Sequence, residues 1–136
     1  MYLLDSCVCI DIMRGRLPSA YEIMRHSDPR QFGVPAIVVA ELNYGIERSK
    51  KLKENRLLTE RFLAPLTIVD FDERCARAYG VVRGQLQKRG LQIGPNDMLI
   101  AATAIANQAT LVSNNHKEFK RIKGLEFESW YEIDVQ

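Results

Sequence analysis

"MYLLDSCVCIDIMRG", residues 1–15, passes from an apolar run through an acid into a helical pattern that a glycine stops. Residues 1–5 read as a short strand that Asp5 closes. Ser6 opens a helical turn or two, and Gly15 ends it. A strand that feeds directly into a helix is the repeating unit of an α/β sheet.

The rest of the chain repeats this unit. Pro18 and Ser19 can start a helix over residues 19–26, and "DPRQFG" reads as loop. From Val34 the pattern is strand-like and becomes helical, with Val38, Val39, Leu42 and Ile46 on one face. "LKENRLLTERFL" continues as a charged amphipathic helix until Pro65. "LTIVDF" at 66–71 is a strand, and Asp72 can cap the long helix that carries Cys75, Tyr79, Val82 and Leu86 on one face. Gly80 and Gly84 lower its intrinsic propensity yet allow close packing of a neighbour, and Gly90 ends the helix. A helix follows Pro95 to about Asn107, then a strand "ATLVSN", a helical turn within 115–124, and an edge strand in "LEFESW". Alternating strands and helices predict a three-layer α/β/α domain with a mostly parallel central sheet, as a single domain over 1–136. In such sheets ligands sit beyond the carboxyl ends of the strands.

Composition narrows the function classes. Hydrophobic residues make up 46% of 136 residues, which excludes a disordered chain. The net charge of +2 is too small to argue for nucleic acid by itself. Cys7, Cys9 and Cys75 have no zinc-type spacing, read as small buried hydrophobes, and suggest a reducing compartment. Asp5, Asp11 and Arg14 interrupt the opening apolar residues, so no secretory leader is visible. No run approaches the roughly 18 apolar residues of a membrane span. The expected location is cytoplasmic.

Polar groups fall at element boundaries. Asp5 closes the first strand, Glu41 lies one turn into a helix, Asp97 opens another, and Asn114 and Asn115 close "TLVS". Each has a plain alternative. Asp97 and Asp5 could cap helices, Glu41 could face solvent, and the asparagines could simply make a turn. If the three acids converge, their repulsion and desolvation call for a cation. Oxygen donors favour Mg2+ or Mn2+, and such an ion supports phosphodiester cleavage. Ser113 could position a carboxylate or a phosphate. Glu118 could approach the site or pair with Lys117 or Arg121. Lys50 and Lys51, with Arg48 and Lys53, form one basic cluster; Lys117, Lys120, Arg121 and Lys123 form a second directly after the proposed site. Both could gather a phosphate backbone, or be solvated faces. His116 is a candidate proton donor, phosphate contact or plain loop histidine.

Four blocks in order resemble the PIN-domain ribonucleases of the VapC toxin type. "LLDSCVCI" at 3–10 is similar to the family's "LDTN" opening, "VVAELNYGIERS" at 38–49 to its "AEL…G" helix, and "IGPNDMLIAATA" at 93–104 to its third acidic block. "TLVSNNHKEFKRIKGLEFESW" at 110–130 is similar to its ending. The resemblance implies that Asp5, Glu41 and Asp97 hold Mg2+ or Mn2+, with Asn115 beside them and Ser6, Ser113, Asn114 and Glu118 in support. It implies an endoribonuclease toxin acting on structured RNA, with initiator tRNA the target class of the subgroup. It also implies a homodimer, a VapB-like antitoxin and a larger toxin–antitoxin assembly. In the family, Trp130 and the helices over 18–26 and 38–63 would serve core packing, dimer contacts or the antitoxin groove. Two positions depart from the pattern. Ser6-Cys7 replaces Thr-Asn, and Asn115 stands where many members have a fourth acid, which favours one tightly held ion. Two alternative functions are a PIN protein that binds RNA or antitoxin with weak catalysis, and a phosphatase or DNA nuclease using the same acids.

Overall fold

The computed structural model describes residues 1–131. Its strands are β1 (Tyr2–Leu4), β2 (Phe32–Pro35), β3 (Thr67–Val69), β4 (Thr110–Val112) and β5 (Glu126–Glu128). All pairings are parallel, in the order β3-β2-β1-β4-β5. The helices are α1 (Ser6–Met13), α2 (Pro18–Arg25), α3 (Ala36–Arg48), α4 (Leu52–Leu63), α5 (Glu73–Lys88), α6 (Pro95–Ala106) and α7 (His116–Phe119). Crossovers step one way from β1 to β3, then the other way through β4 to β5. With the right-handed connection normal for parallel strands, α1–α4 cover one face and α5–α7 the other. This is the three-layer architecture expected from the alternation. The direction reverses between β1 and β4, which opens a crevice at their carboxyl ends.

The strands are short because each needs to span only the core. Leu3, Leu4, Val34, Leu111 and Val112 are fully buried and meet Val8, Val38 and Ile100 from the helices. At the amino end of the sheet, Tyr2 and Phe32 stack at 5.9 Å and the buried Trp130 closes on Phe32 edge-on at 6.0 Å. Trp130 therefore has the core role. Its indole N–H donates to Glu128 Oε1 at 2.9 Å, so the buried polar atom is paired.

Several boundaries differ from expectation. Phe32 and Gly33, read as loop, belong to the buried strand β2. A strand buried on both sides shows no alternation, so its start has no periodic mark. The helix expected to run on past Ile46 breaks into α3 and α4. Ser49 is extended there, and its hydroxyl donates to the Ile46 carbonyl at 2.6 Å in competition with helical bonding. β3 is only three residues at the sheet edge, with Ile68 exposed. Cys9 and Cys75 are buried as expected, but Cys7 is exposed on the first turn of α1. The room that Gly80 and Gly84 allow is not used among the described residues of this chain, since a Cβ at either would meet nothing within 4 Å.

Gly33 is the glycine that close approach requires. A Cβ there would lie 3.0 Å from Leu3 Cδ2 and 3.1 Å from Val69 Cγ2, on the neighbouring strands β1 and β3. Gly33→Ala is expected to cost about 1–3 kcal/mol by overpacking. The measurement is a lower denaturation midpoint in urea with an unchanged slope.

Candidate functional site: an acidic crevice

The crevice collects the ends of four elements. β1 ends at Leu4, so Asp5 sits at its mouth, and the Asp5 backbone N–H donates to the Val112 carbonyl at 3.2 Å. Asp5 Oδ1 accepts from the Val8 N–H at 3.0 Å, capping α1. Its Oδ2 accepts from the fully buried Ser113 hydroxyl at 2.5 Å. Asp5 is thus both a cap and a crevice group. Burial pushes its carboxyl above the usual range, against the lowering effect of these hydrogen bonds, and Glu41 adds to the rise.

Glu41 lies in the second turn of α3, half-buried on the crevice side. Ser6 donates to its Oε1 at 3.0 Å and Asn96 to its Oε2 at 3.5 Å. Glu41 therefore does not simply face solvent. Asp97 lies in the first turn of α6, but the cap position is Gly94 and no side chain caps this helix. The N-cap alternative fails for Asp97, which keeps the favourable dipole position of an acid in the first turn. Asn115 Nδ2 donates to Asp97 Oδ2 at 3.3 Å and to Glu118 Oε2 at 3.1 Å. Burial, then a shared hydrogen bond and charge repulsion with Glu118, lift Asp97 to about 7, with Asp5 and Glu41 adding to the rise.

These groups share one electrostatic field. Asp5 feels Glu41, and Asp97 feels Asp5, Glu41 and Glu118. Among the described residues no Lys or Arg forms an ion pair with any of the four. Nor do three acidic, His or Cys side chains stand close enough to form a ready metal cage. Serine and asparagine groups lie between them instead. The donor set still fits a hard divalent ion: every candidate ligand is an oxygen, and the carboxylates lack compensating charge.

The other expected residues divide. Ser113 holds Asp5, and its Oγ also accepts from the Asn115 N–H at 2.9 Å. Glu118 joins the crevice rather than pairing with Lys117 or Arg121. Asn114 is exposed at the rim. His116 packs its ring on Phe127 at 5.3 Å. Lys117 and Lys120 are exposed beside the short α7. The Arg121 guanidinium donates to the Gln92 carbonyl at 2.9 Å. Lys50 and Lys51 lie past the far end of α3, whose last residue Arg48 is already about 10 Å along the axis from Glu41. Cys7 is exposed near the acids, and burial first, then Asp5, raise its thiol pKa. Sequence reasoning passed over Asn96, although it stands directly before Asp97. It also missed the Tyr131 hydroxyl, which donates to Asp11 Oδ2 at 2.5 Å. No local signal marks that pair, because 120 residues separate the partners.

Residues 2–125 match the family model for the PIN domain. The chain belongs to the PIN-domain family, in its VapC-type toxin branch. It is 42% identical over 133 residues to "Ribonuclease VapC2" of Rickettsia felis, covering 96% of this chain and 98% of that protein. It is 30% identical over 129 residues to the "tRNA(fMet)-specific endonuclease VapC" of Shigella flexneri, covering 95% and 97%. Among solved structures, VapBC2 from Rickettsia felis bound to a promoter DNA fragment aligns with a TM-score of 0.89 and 41% identity, over 95% of this chain and 98% of that one. No helix of this PIN domain among the described residues is long and apolar enough to cross a membrane.

The raised carboxyls give this PIN domain a pH signature. A folded-state pKa above the unfolded value means that the native state binds more protons between about pH 4 and pH 7. Stability of the metal-free protein should therefore fall as pH rises through that window. The check is thermal unfolding in chelator from pH 4.5 to 8, with a flatter profile expected for Asp97→Asn.

Proposed function

We propose that this chain is an Mg2+-dependent endoribonuclease toxin that hydrolyses phosphodiester bonds in structured RNA, with initiator tRNA as the target class. The observation that carries the reading is the crevice of carboxylates at the sheet's switch point, mutually repelling and without a basic ion-pair partner among the described residues. Asp5, Glu41 and Asp97 would hold Mg2+, or Mn2+, directly or through water. When bound, the ion supplies charge for a phosphoryl oxygen and acidifies a water. Ser113 fixes Asp5, Ser6 and Asn96 orient Glu41, and Asn115 spans Asp97 and Glu118. Lys117 and Lys120 beside the crevice would draw in the phosphate backbone. The name of the Shigella flexneri relative supports tRNA as substrate.

The partner in this reading is a VapB-like antitoxin, acting on a cytoplasmic homodimer within a larger assembly. Support comes from the VapBC complex of Rickettsia felis and from a groove of about 530 Å3 between α1, α3 and α4. Ile10, Met13, Tyr44 and Leu58 line it, and Ser6, Glu41 and Asn96 stand at the crevice end. An apolar segment would fill the groove, and a basic side chain placed at Glu41 would compete with the metal. The second reading, a PIN protein that binds RNA or antitoxin with weak catalysis, is favoured by the lack of a ready three-acid cage among the described residues.

Antitoxin-free protein with Mg2+ is expected to cut bulk tRNA and leave DNA intact. Asp5→Asn and Asp97→Asn should each lower cleavage by roughly a hundredfold or more, since several kcal/mol of charge stabilisation depend on the site. Circular dichroism checks that both variants fold. RNA binding without cleavage under either ion would favour the second reading.

A further inference from the structure

Between Glu73 and Asp97 the chain carries Arg74, Arg77, Arg83, Lys88 and Arg89 and no acid. Arg74 and Arg77 pair with Asp72 and Glu73 at the start of α5. The three at its end have no acidic partner among the described residues. Arg83 donates to the Tyr79 hydroxyl at 2.9 Å, and Arg89 donates to the Arg121 carbonyl at 2.6 Å. Unpaired cations of one sign repel, and they remain available to an incoming anion.

Arg83 lines a cleft of about 450 Å3 formed by the end of α5, the following loop and the first turn of α6, and Lys88 is the last residue of the same helix. Its floor is apolar, from Leu86, Leu91, Ile93 and Met98. Arg83, Gln87 and Gln92 line it with polar groups. Met98 follows Asp97 in the same helical turn, so the cleft and the acidic crevice lie on two sides of one segment. Arg121 fastens the loop before α6 by donating to the Gln92 carbonyl, and the Arg121 carbonyl in turn accepts from Arg89. An apolar floor with amide groups at the wall suits a flat ring with hydrogen-bonding edges. Cations beside it suit the phosphates of the same strand.

The geometry points to a nucleotide subsite outside the acidic crevice: an unpaired RNA base docks in the cleft between α5 and α6, with its phosphates against Arg83 and Lys88. The subsite rests on the ribonuclease reading, and it would hold the strand while the neighbouring phosphodiester lies over the acids. Neither Arg83 nor Lys88 touches the acids, so their work is binding and not chemistry.

The test is fluorescence anisotropy with a single-stranded oligoribonucleotide and a matched abasic one. The full chain is used, in chelator so that the RNA stays intact, at several salt concentrations. Arg83→Ala with Lys88→Ala should weaken binding about tenfold and reduce the slope of log affinity against log salt by about 1.4, as loss of two single-strand phosphate contacts requires. Gln87→Ala with Gln92→Ala should weaken binding of the intact oligonucleotide and leave the abasic one unchanged. Affinity and slope equal to the parent protein in the charge variant would overturn the subsite. Equal loss on intact and abasic RNA in the glutamine variant would overturn the base pocket. If the parent chain does not cut tRNA with Mg2+ while the charge variant still loses affinity, the cleavage reading fails and the subsite stands.

Discussion

Ser113 at the end of β4 donates its hydroxyl to Asp5 at the end of β1, and the crevice depends on that contact. The two strands are neighbours only because the chain reverses direction between them. The same carboxylate accepts from the first turn of α1, so strand, helix and adjacent strand meet on one side chain. A buried carboxylate without these donors would be costly. With them, Asp5 is fixed in direction, and its remaining acceptor capacity is the part that a cation or substrate can use.

The rest of the crevice follows the same rule of neutral donors between acids. Ser6 and Asn96 serve Glu41, and Asn115 serves Asp97 and Glu118. Hydroxyl and amide donors stabilise a carboxylate without cancelling its charge, as a lysine or arginine would. The repulsion therefore persists and adds to burial, the main cause of the raised carboxyls of Asp5 and Asp97. A site arranged in this way keeps a reserve of negative charge that a divalent ion relieves on binding. Arg121, three residues after Glu118, is held on the Gln92 carbonyl and forms no ion pair with the crevice acids among the described residues.

Much of the architecture was legible locally. The strand-to-helix step at Asp5, the capping of α5 by Asp72 and the turn at Pro95 each rest on neighbours in the chain. The acids at 5, 41 and 97 stood out because Asp5 follows an apolar run, Glu41 interrupts one and Asp97 opens one. Less legible were features set by competing hydrogen bonds or by open space. Ser49 divided what periodicity made continuous. Gly80 and Gly84, read as packing sites, face no neighbour in the chain. Cys7 stands between the half-buried Ser6 and the buried Val8, yet helical rotation turns it outward.

The sequence by itself determined the order of elements, the parallel sheet and the identity of the acids, because apolar periodicity and boundary residues are properties of adjacent positions. Tertiary structure decided which donor serves which acid, how Asn115 joins Asp97 to Glu118, and that Arg121 clasps the loop before α6. It also decided that Arg83 and Met98, the residue after Asp97, line one cleft between α5 and α6. Those outcomes depend on angles and distances between segments far apart in the chain, which no local pattern encodes.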